Sequence, residues 1–194
     1  MVMSKIIGIS GVSGSGKTTL ADALGKALNA TTIFWDDYDP ISEGPSDYVK
    51  WFETSKDCND WKYDSLAEVL RSLKQGKELI CPATQRKLIP TEYIVFDAPL
   101  GYKHHATGQS IDFLIFLDTP PDIALARRLL RDYPLIYPSG DKIVKELENY
   151  VLSTRPVYMA SYDKKSEADL LLDGSLSLEL LLSNVLNALK KNST

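Results

Sequence analysis

Short apolar runs alternate along this chain with longer stretches in which Leu, Ala, Val or Ile recur every three or four residues. The short runs lie at residues 5–10, 31–35, 92–97, 113–118 and 170–172. They are apolar throughout rather than alternating, as strands covered on both faces must be. The longer stretches, 18–28, 65–73, 123–131 and 176–189, have the period of helices with one buried face. Strands alternating with helices predict an α/β fold of three layers, a five-stranded parallel sheet with helices on both faces. The Pro-rich segments PISEGPS at 40–46 and PLIYPSG at 134–140 read as loops, and no internal repeat interrupts the pattern. A single domain over residues 1–194 is therefore expected.

Composition narrows the partners. The chain is 44% hydrophobic with a net charge of −4, its acids and bases are dispersed, and no basic tract suggests nucleic acid or a membrane surface. Cys58 and Cys81 are not in a C-x-x-C arrangement and have no histidine at ligand spacing, so they read as buried or idle thiols. The opening MVMSKIIGIS is too short and Gly-rich for a signal peptide, and no apolar stretch reaches membrane-spanning length. The expectation is a cytoplasmic protein that handles small molecules.

The first predicted strand runs directly into Gly11-x-x-x-x-Gly16-Lys17-Thr18, and a predicted helix follows at once. Glycines here let successive backbone N–H groups turn toward one anion. Gly11, Ser13, Gly14, Ser15, Gly16, Lys17, Thr18 and Thr19 thus form a candidate triphosphate cradle. Lys17 supplies a mobile cation for the outer phosphates, Thr18 offers a hydroxyl to Mg2+, and the helix N-terminus adds its dipole. ATP and Mg2+ are the implied cofactors. A guanine switch is disfavoured, because no Asn-Lys-x-Asp motif is present.

An acceptor site is expected beside the cradle, where the second strand ends in Trp35-Asp36-Asp37-Tyr38. A hydroxyl that receives a phosphoryl group needs a carboxylate to orient it and take its proton, and Asp36 is the candidate. The alternative is that Asp36 and Asp37 cap the next turn. Residues 31–70 carry ten acids against three lysines, Lys50, Lys56 and Lys62, and no arginine. A phosphorylated acceptor would be met by arginines, so an uncharged or cationic polyol is favoured. Within the acceptor region, about residues 36–75, Asp64 suits a ribose diol or a helix N-cap, and Trp61 and Tyr63 suit a base or the core. Asp97 closes an apolar strand as a second carboxylate for Mg2+, reached through water. His104 and His105 read as solvated loop residues. Arg128 and Arg131 share a helical face, with Arg127 off it, and suit a lid over about residues 127–145 that clamps transferring phosphate.

With these residues in place, the chain resembles the uridine kinase family of P-loop kinases, including its nicotinamide riboside kinase branch, over about residues 5–189. The segments that carry the resemblance are GISGVSGSGKTTLA, WDDY, LRSLKQGK, IVFDAPLG, DTPPDIALARRLLRD, YVLSTRPVY and KKSEADLLLDG, in family order. It implies the P-loop nucleoside triphosphate hydrolase fold with a short lid, and a kinase that moves the γ-phosphoryl of Mg-ATP to a hydroxyl. Asp36 matches the family's catalytic Asp, and Asp97 the acid of its E-G strand. Arg128 and Arg131 match its lid arginines, with Arg131 on the nucleotide, and Arg155 resembles an anion-contacting position of some members. The short length and the Tyr63-Asp64 pair resemble the nicotinamide riboside branch, whose acceptor is cationic. Two family patterns are broken. The base-reading hairpin, P-x-Y-D-F with a later His-Ser-Arg, is replaced by CPATQRKLIPTEYIVFD, and the W-x-x-P-D of other members is lost. The acceptor is thus left between a nucleoside and another alcohol such as a vitamin precursor or sugar, with non-catalytic ATP binding as the rival class.

Overall fold

The computed structural model describes residues 3–133 and 140–191. In chain order its elements are β1 (Lys5–Gly11), α1 (Lys17–Ala27), β2 (Thr31–Phe34), α2 (Tyr48–Thr54), α3 (Asp64–Lys74), β3 (Leu79–Ile80), β4 (Lys87–Leu88), β5 (Tyr93–Asp97), α4 (His105–Gly108), β6 (Phe113–Asp118), α5 (Pro121–Asp132), α6 (Gly140–Asn149), α7 (Arg155–Ala160), β7 (Leu170–Asp173) and α8 (Leu178–Lys191). Five strands form one parallel sheet in the order β2-β5-β1-β6-β7. The pair β3 and β4 forms a separate antiparallel hairpin.

The strand period sorts the core into two layers. Ile6, Ile94 and Leu114 point to one face of the sheet, where they join Leu66, Val69, Leu70 and Leu73 of α3. Their neighbours Ile7, Val95 and Ile115 point to the other, against Leu20, Ala21 and Leu24 of α1 and Leu181 and Val185 of α8. Successive strand side chains alternate faces, so one continuous apolar run feeds two cores. Carboxylates also fasten the sheet's central strands: Asp112 accepts from Ile6 N at 2.8 Å and Asp169 from Leu114 N at 2.7 Å.

Each of the five predicted strands and four predicted helices is present, with ends displaced by at most three residues. Helix α5 starts at Pro121, two residues before its periodic stretch, because proline suits the first helical turn. What periodicity left out are elements that bury little. Helix α2 has no buried residue and is set by Asp47, whose carboxylate accepts from Lys50 N at 2.9 Å. Helices α6 and α7 bury none either, and a π-helical turn at Tyr150–Thr154 joins them. The loop expected at 134–140 lies outside the described residues except for Gly140, which opens α6. Among the described residues no helix is long and apolar enough to cross a membrane.

Leu70 of α3 is fully buried in the first layer. Leu70→Ala is expected to lower stability by about 2–5 kcal/mol, read as a lower urea midpoint at unchanged slope.

Candidate functional site

The loop between β1 and α1 is shaped by its glycines. Gly14 and Gly16 have φ of 82° and 101°, in the left-handed region that side chains avoid. A Cβ on Gly14 would lie 2.1 Å from the Ala124 carbonyl oxygen, so the loop rests on the backbone of α5. A Cβ on Gly16 would meet nothing within 4 Å, which marks the open side of the cradle. Ser15 N donates to Val12 O at 3.1 Å, closing the turn. Ser15 Oγ is buried without a hydrogen-bond partner among the described residues, and Ser13 and Thr19 are exposed.

Lys17 opens α1, and its ammonium donates to Val12 O at 3.1 Å. Burial pulls its pKa below the ordinary value, opposed by Asp97 and Asp36 and reinforced by Arg131. Next to it, Thr18 donates through Oγ1 to Asp97 Oδ2 at 2.7 Å. Asp97 ends β5 and is buried, and its Oδ1 has no hydrogen-bond partner among the described residues. Burial raises its pKa, with Lys17 and Thr18 working against the rise.

Asp36 begins a 3-10 turn, Asp36–Ile41, two residues past β2, and remains accessible to solvent. Its pKa is raised, by partial desolvation first and then by Asp39, while Lys17 and Arg131 oppose. Four predicted residues from separate parts of the chain thus share one electrostatic field: Lys17, Asp36, Asp97 and Arg131. Arg131 itself donates from Nε to Asp132 at 2.7 Å. Arg128 stands apart from this group: its Nη2 is paired with Glu146 of α6 at 2.7 Å, and its buried Nε has no partner among the described residues. Arg127 donates to Gly174 O, and Arg155 is exposed at the start of α7.

Aromatic side chains pack beside the turn that carries Asp36. Tyr63 lies in the core, stacked on Trp35 with ring centroids 4.0 Å apart, and its hydroxyl donates to Asp39. Trp61 is half-buried, edge-on to Trp51 at 4.7 Å and beside Tyr48 at 6.0 Å. Asp64 is exposed in the first turn of α3 and makes no cap, since Tyr63 holds the cap position. His104 departs from the expectation of a solvated loop. It is buried, with Nδ1 on Thr107 Oγ1 at 2.8 Å, Nε2 on Trp61 O at 2.9 Å and its ring edge-on to Trp35. The physical reason is that Trp35 and Tyr63 leave an apolar recess that an imidazole fills when both nitrogens find partners. Burial lowers its pKa. His105 is exposed. The segment that replaces the family's base-reading pattern forms a short hairpin, β3–β4, turned at Cys81 to Arg86, and Arg86 reaches Asp37 at 3.5 Å.

Further side chains from late in the chain reach the phosphate loop and the strand ends beside it. Tyr158 donates from its hydroxyl to Ser13 O at 3.0 Å. Tyr162 donates to Thr119 O at 2.7 Å, and Thr119 Oγ1 donates to Ser15 O at 3.0 Å. Lys164 donates to Pro99 O at 3.2 Å, just beyond Asp97. The four-residue spacing of Tyr158 and Tyr162 was a usable sign of one helical face.

The family model described as AAA domain matches residues 7–146. A uridine kinase of Borrelia duttonii is 30% identical over 207 residues, covering 99% of this chain and 98% of its own. Uridine-cytidine kinase B of Dictyostelium discoideum is 27% identical, covering 97% and 84%. Among solved structures, a possible uridine kinase from Bacillus stearothermophilus superposes with a TM-score of 0.55 at 19% identity, covering 89% and 90%, which supports the fold.

Gly14 has no room for a side chain against α5, and its φ adds strain of about 1–2 kcal/mol for any L-residue. Gly14→Ala is expected to weaken ATP binding about tenfold or more, measured by titration calorimetry.

Proposed function

The chain belongs to the uridine kinase family of P-loop proteins and is an ATP-dependent phosphotransferase with an alcohol acceptor; we propose that the acceptor is ribonucleoside-like and is phosphorylated on its primary hydroxyl. The observation that carries this reading is that three neighbouring strands deliver the groups together: Asp97 ends β5 and accepts from Thr18, Lys17 opens the helix after β1, and Asp36 follows β2. A donor cradle and an acceptor carboxylate that share a field are the two halves of a transfer site.

In the proposed reaction Asp36 accepts a hydrogen bond from the acceptor hydroxyl. The hydroxyl oxygen forms the new bond to the γ-phosphorus, the bridging bond from that phosphorus to the β-phosphate oxygen breaks, and ADP leaves. The hydroxyl proton passes to the Asp36 carboxylate. Lys17 neutralises the migrating oxygens, and Arg131 adds charge from α5. Arg128 joins it in the proposed lid on release from Glu146. The oxygen donors of Thr18 and Asp97 fit Mg2+, since Asp97 Oδ1 is a buried carboxylate oxygen without a partner among the described residues. Thr18 and Asp97 would hold the ion, the carboxylate through water. Bound Mg2+ supplies charge neutralisation at the phosphate oxygens.

Residues 31–70, arginine-free and rich in acids, support an uncharged or cationic acceptor. Trp61 offers a base its half-buried ring, Asp64 offers a sugar its exposed carboxylate, and Tyr63 acts from beneath by holding Asp39. The test is ADP release with uridine, cytidine, nicotinamide riboside, pantothenate and simple sugars. Release that depends on a nucleoside supports the reading, release with pantothenate or a sugar alone replaces it, and none with any acceptor favours a binding protein.

Asp36→Asn is expected to keep ATP affinity and to lower kcat by about two orders of magnitude or more, in steady-state assays. A carboxylate with a raised pKa loses its base form at a higher pH than usual as pH falls. The wild-type acid limb should therefore lie above the ordinary carboxylate range, and the Asn variant should lack it.

A further inference from the structure

Two lysines at the carboxyl edge of the sheet are treated alike by the fold. Lys17 Nζ donates to the carbonyl of Val12 at 3.1 Å, and Lys164 Nζ to that of Pro99 at 3.2 Å. Neither has a carboxylate within ion-pair distance among the described residues, whereas Lys165 is paired with Asp118 and Lys103 with Glu167. Lys164 lies in a 3-10 segment, Ser161–Glu167, and its position is held from both sides. Tyr162 donates to Thr119 O, Lys165 reaches Asp118, and between them Lys164 is carried to Pro99, two residues past Asp97. The Pro99 carbonyl also accepts from Ser10 Oγ at 3.3 Å, so the ammonium sits over the ends of β1 and β5.

A desolvated ammonium has three donors, and leaving it with one carbonyl and no counter-ion is unfavourable unless a ligand completes it. For Lys17 the ligand is the triphosphate. Lys164 faces the same edge from the acceptor side, where the charged and titratable groups acting on it are the Cys58 thiol, Lys17, Asp163 and Lys103. Asp36 suffices for the incoming hydroxyl, but the phosphate it becomes needs a cation. Residues 31–70 have no arginine, their Lys50, Lys56 and Lys62 are exposed, and the Arg71 that follows is exposed and paired with Glu68. We propose that Lys164 is a second anion-binding ammonium of the transfer site, donating to the phosphoryl group on the acceptor side and holding the phosphate monoester product. The proposal rests on the kinase reading.

The sign of its pH dependence follows from its surroundings. Desolvation pulls the Lys164 pKa down to about 8; Cys58 and Asp163 oppose the fall, and Lys17 and Lys103 reinforce it. The ammonium is charged below that value and neutral above it, so affinity for a phosphate monoester falls as pH rises through it.

The test is calorimetry on the full chain with the 5′-monophosphates of uridine, cytidine and nicotinamide riboside as probes, beside the parent nucleosides. Lys164→Met is expected to weaken the bound monophosphate about tenfold, as loss of a charge-assisted hydrogen bond does, and the parent nucleoside by less than about threefold. Between about pH 7 and pH 9 wild-type affinity should fall, Lys164→Met should be flat, and Lys164→Arg should hold its affinity. Mg-ATP binding by Lys164→Met verifies that the variant is folded, and if it has not folded the Lys164→Arg profile decides. Equal monophosphate affinity in wild type and Lys164→Met overturns the proposal, as do equal losses for nucleoside and monophosphate, a pH fall retained in Lys164→Met, or no monophosphate binding by wild type. The kinase reading fails separately, through absence of acceptor-dependent ADP release.

Discussion

The register of β5 between β1 and β2 is the constraint on which the site depends. Asp97 stands opposite Ile9 on one side and Phe34 on the other. The strand ends that follow carry the phosphate loop and Asp36, so one pairing aligns the loop, Asp97 and Asp36. Strand side chains have a period of two, and a slip of one residue in β5 would turn Asp97 to the other face and move Ile94, Val95 and Phe96 into the opposite layers. Two buried layers, one on each face of the sheet, hold that register against slippage.

The charges placed there are individually unfavourable and jointly tolerable. Burial lowers the pKa of Lys17 and raises those of Asp97 and Asp36, so each group alone is pushed toward neutrality. Each also opposes the shift of its opposite partner. Asp97 is buried while Asp36 stays accessible to solvent, so the set runs from the interior to the surface. The Thr18 to Asp97 hydrogen bond locks the first turn of α1 to the end of β5 and holds the set together.

A second framework reaches the same edge from late in the chain. Tyr158 and Tyr162 donate to Ser13 and Thr119, Thr119 donates to Ser15, and Lys164 reaches Pro99. These groups bond backbone carbonyls, whose positions follow from the fold rather than from the side chains that happen to be present. The segment can therefore support the loop without a complementary residue to mark it. Arg128 and Glu146 form a further link, between α5 and α6.

Buried periodic elements were legible because burial on a sheet or under a helix imposes its period on the sequence. The five strands and the helices α1, α3, α5 and α8 were found this way, and the cradle was legible because only glycine tolerates its backbone. Helices α2, α6 and α7 were not: they are short and bury no residue, although Ile143 and Leu147 give α6 an apolar side. By itself the sequence determined the layer architecture, the cradle and the candidate carboxylates, all of which rest on local spacing. Only the tertiary structure decided that Asp36, Asp97 and Arg131 all act on Lys17, that Arg128 is paired with Glu146, that His104 is buried, and that Lys164 reaches Pro99. Those outcomes depend on which strands are neighbours and on what desolvates each group, and neither is a property of residues close in sequence.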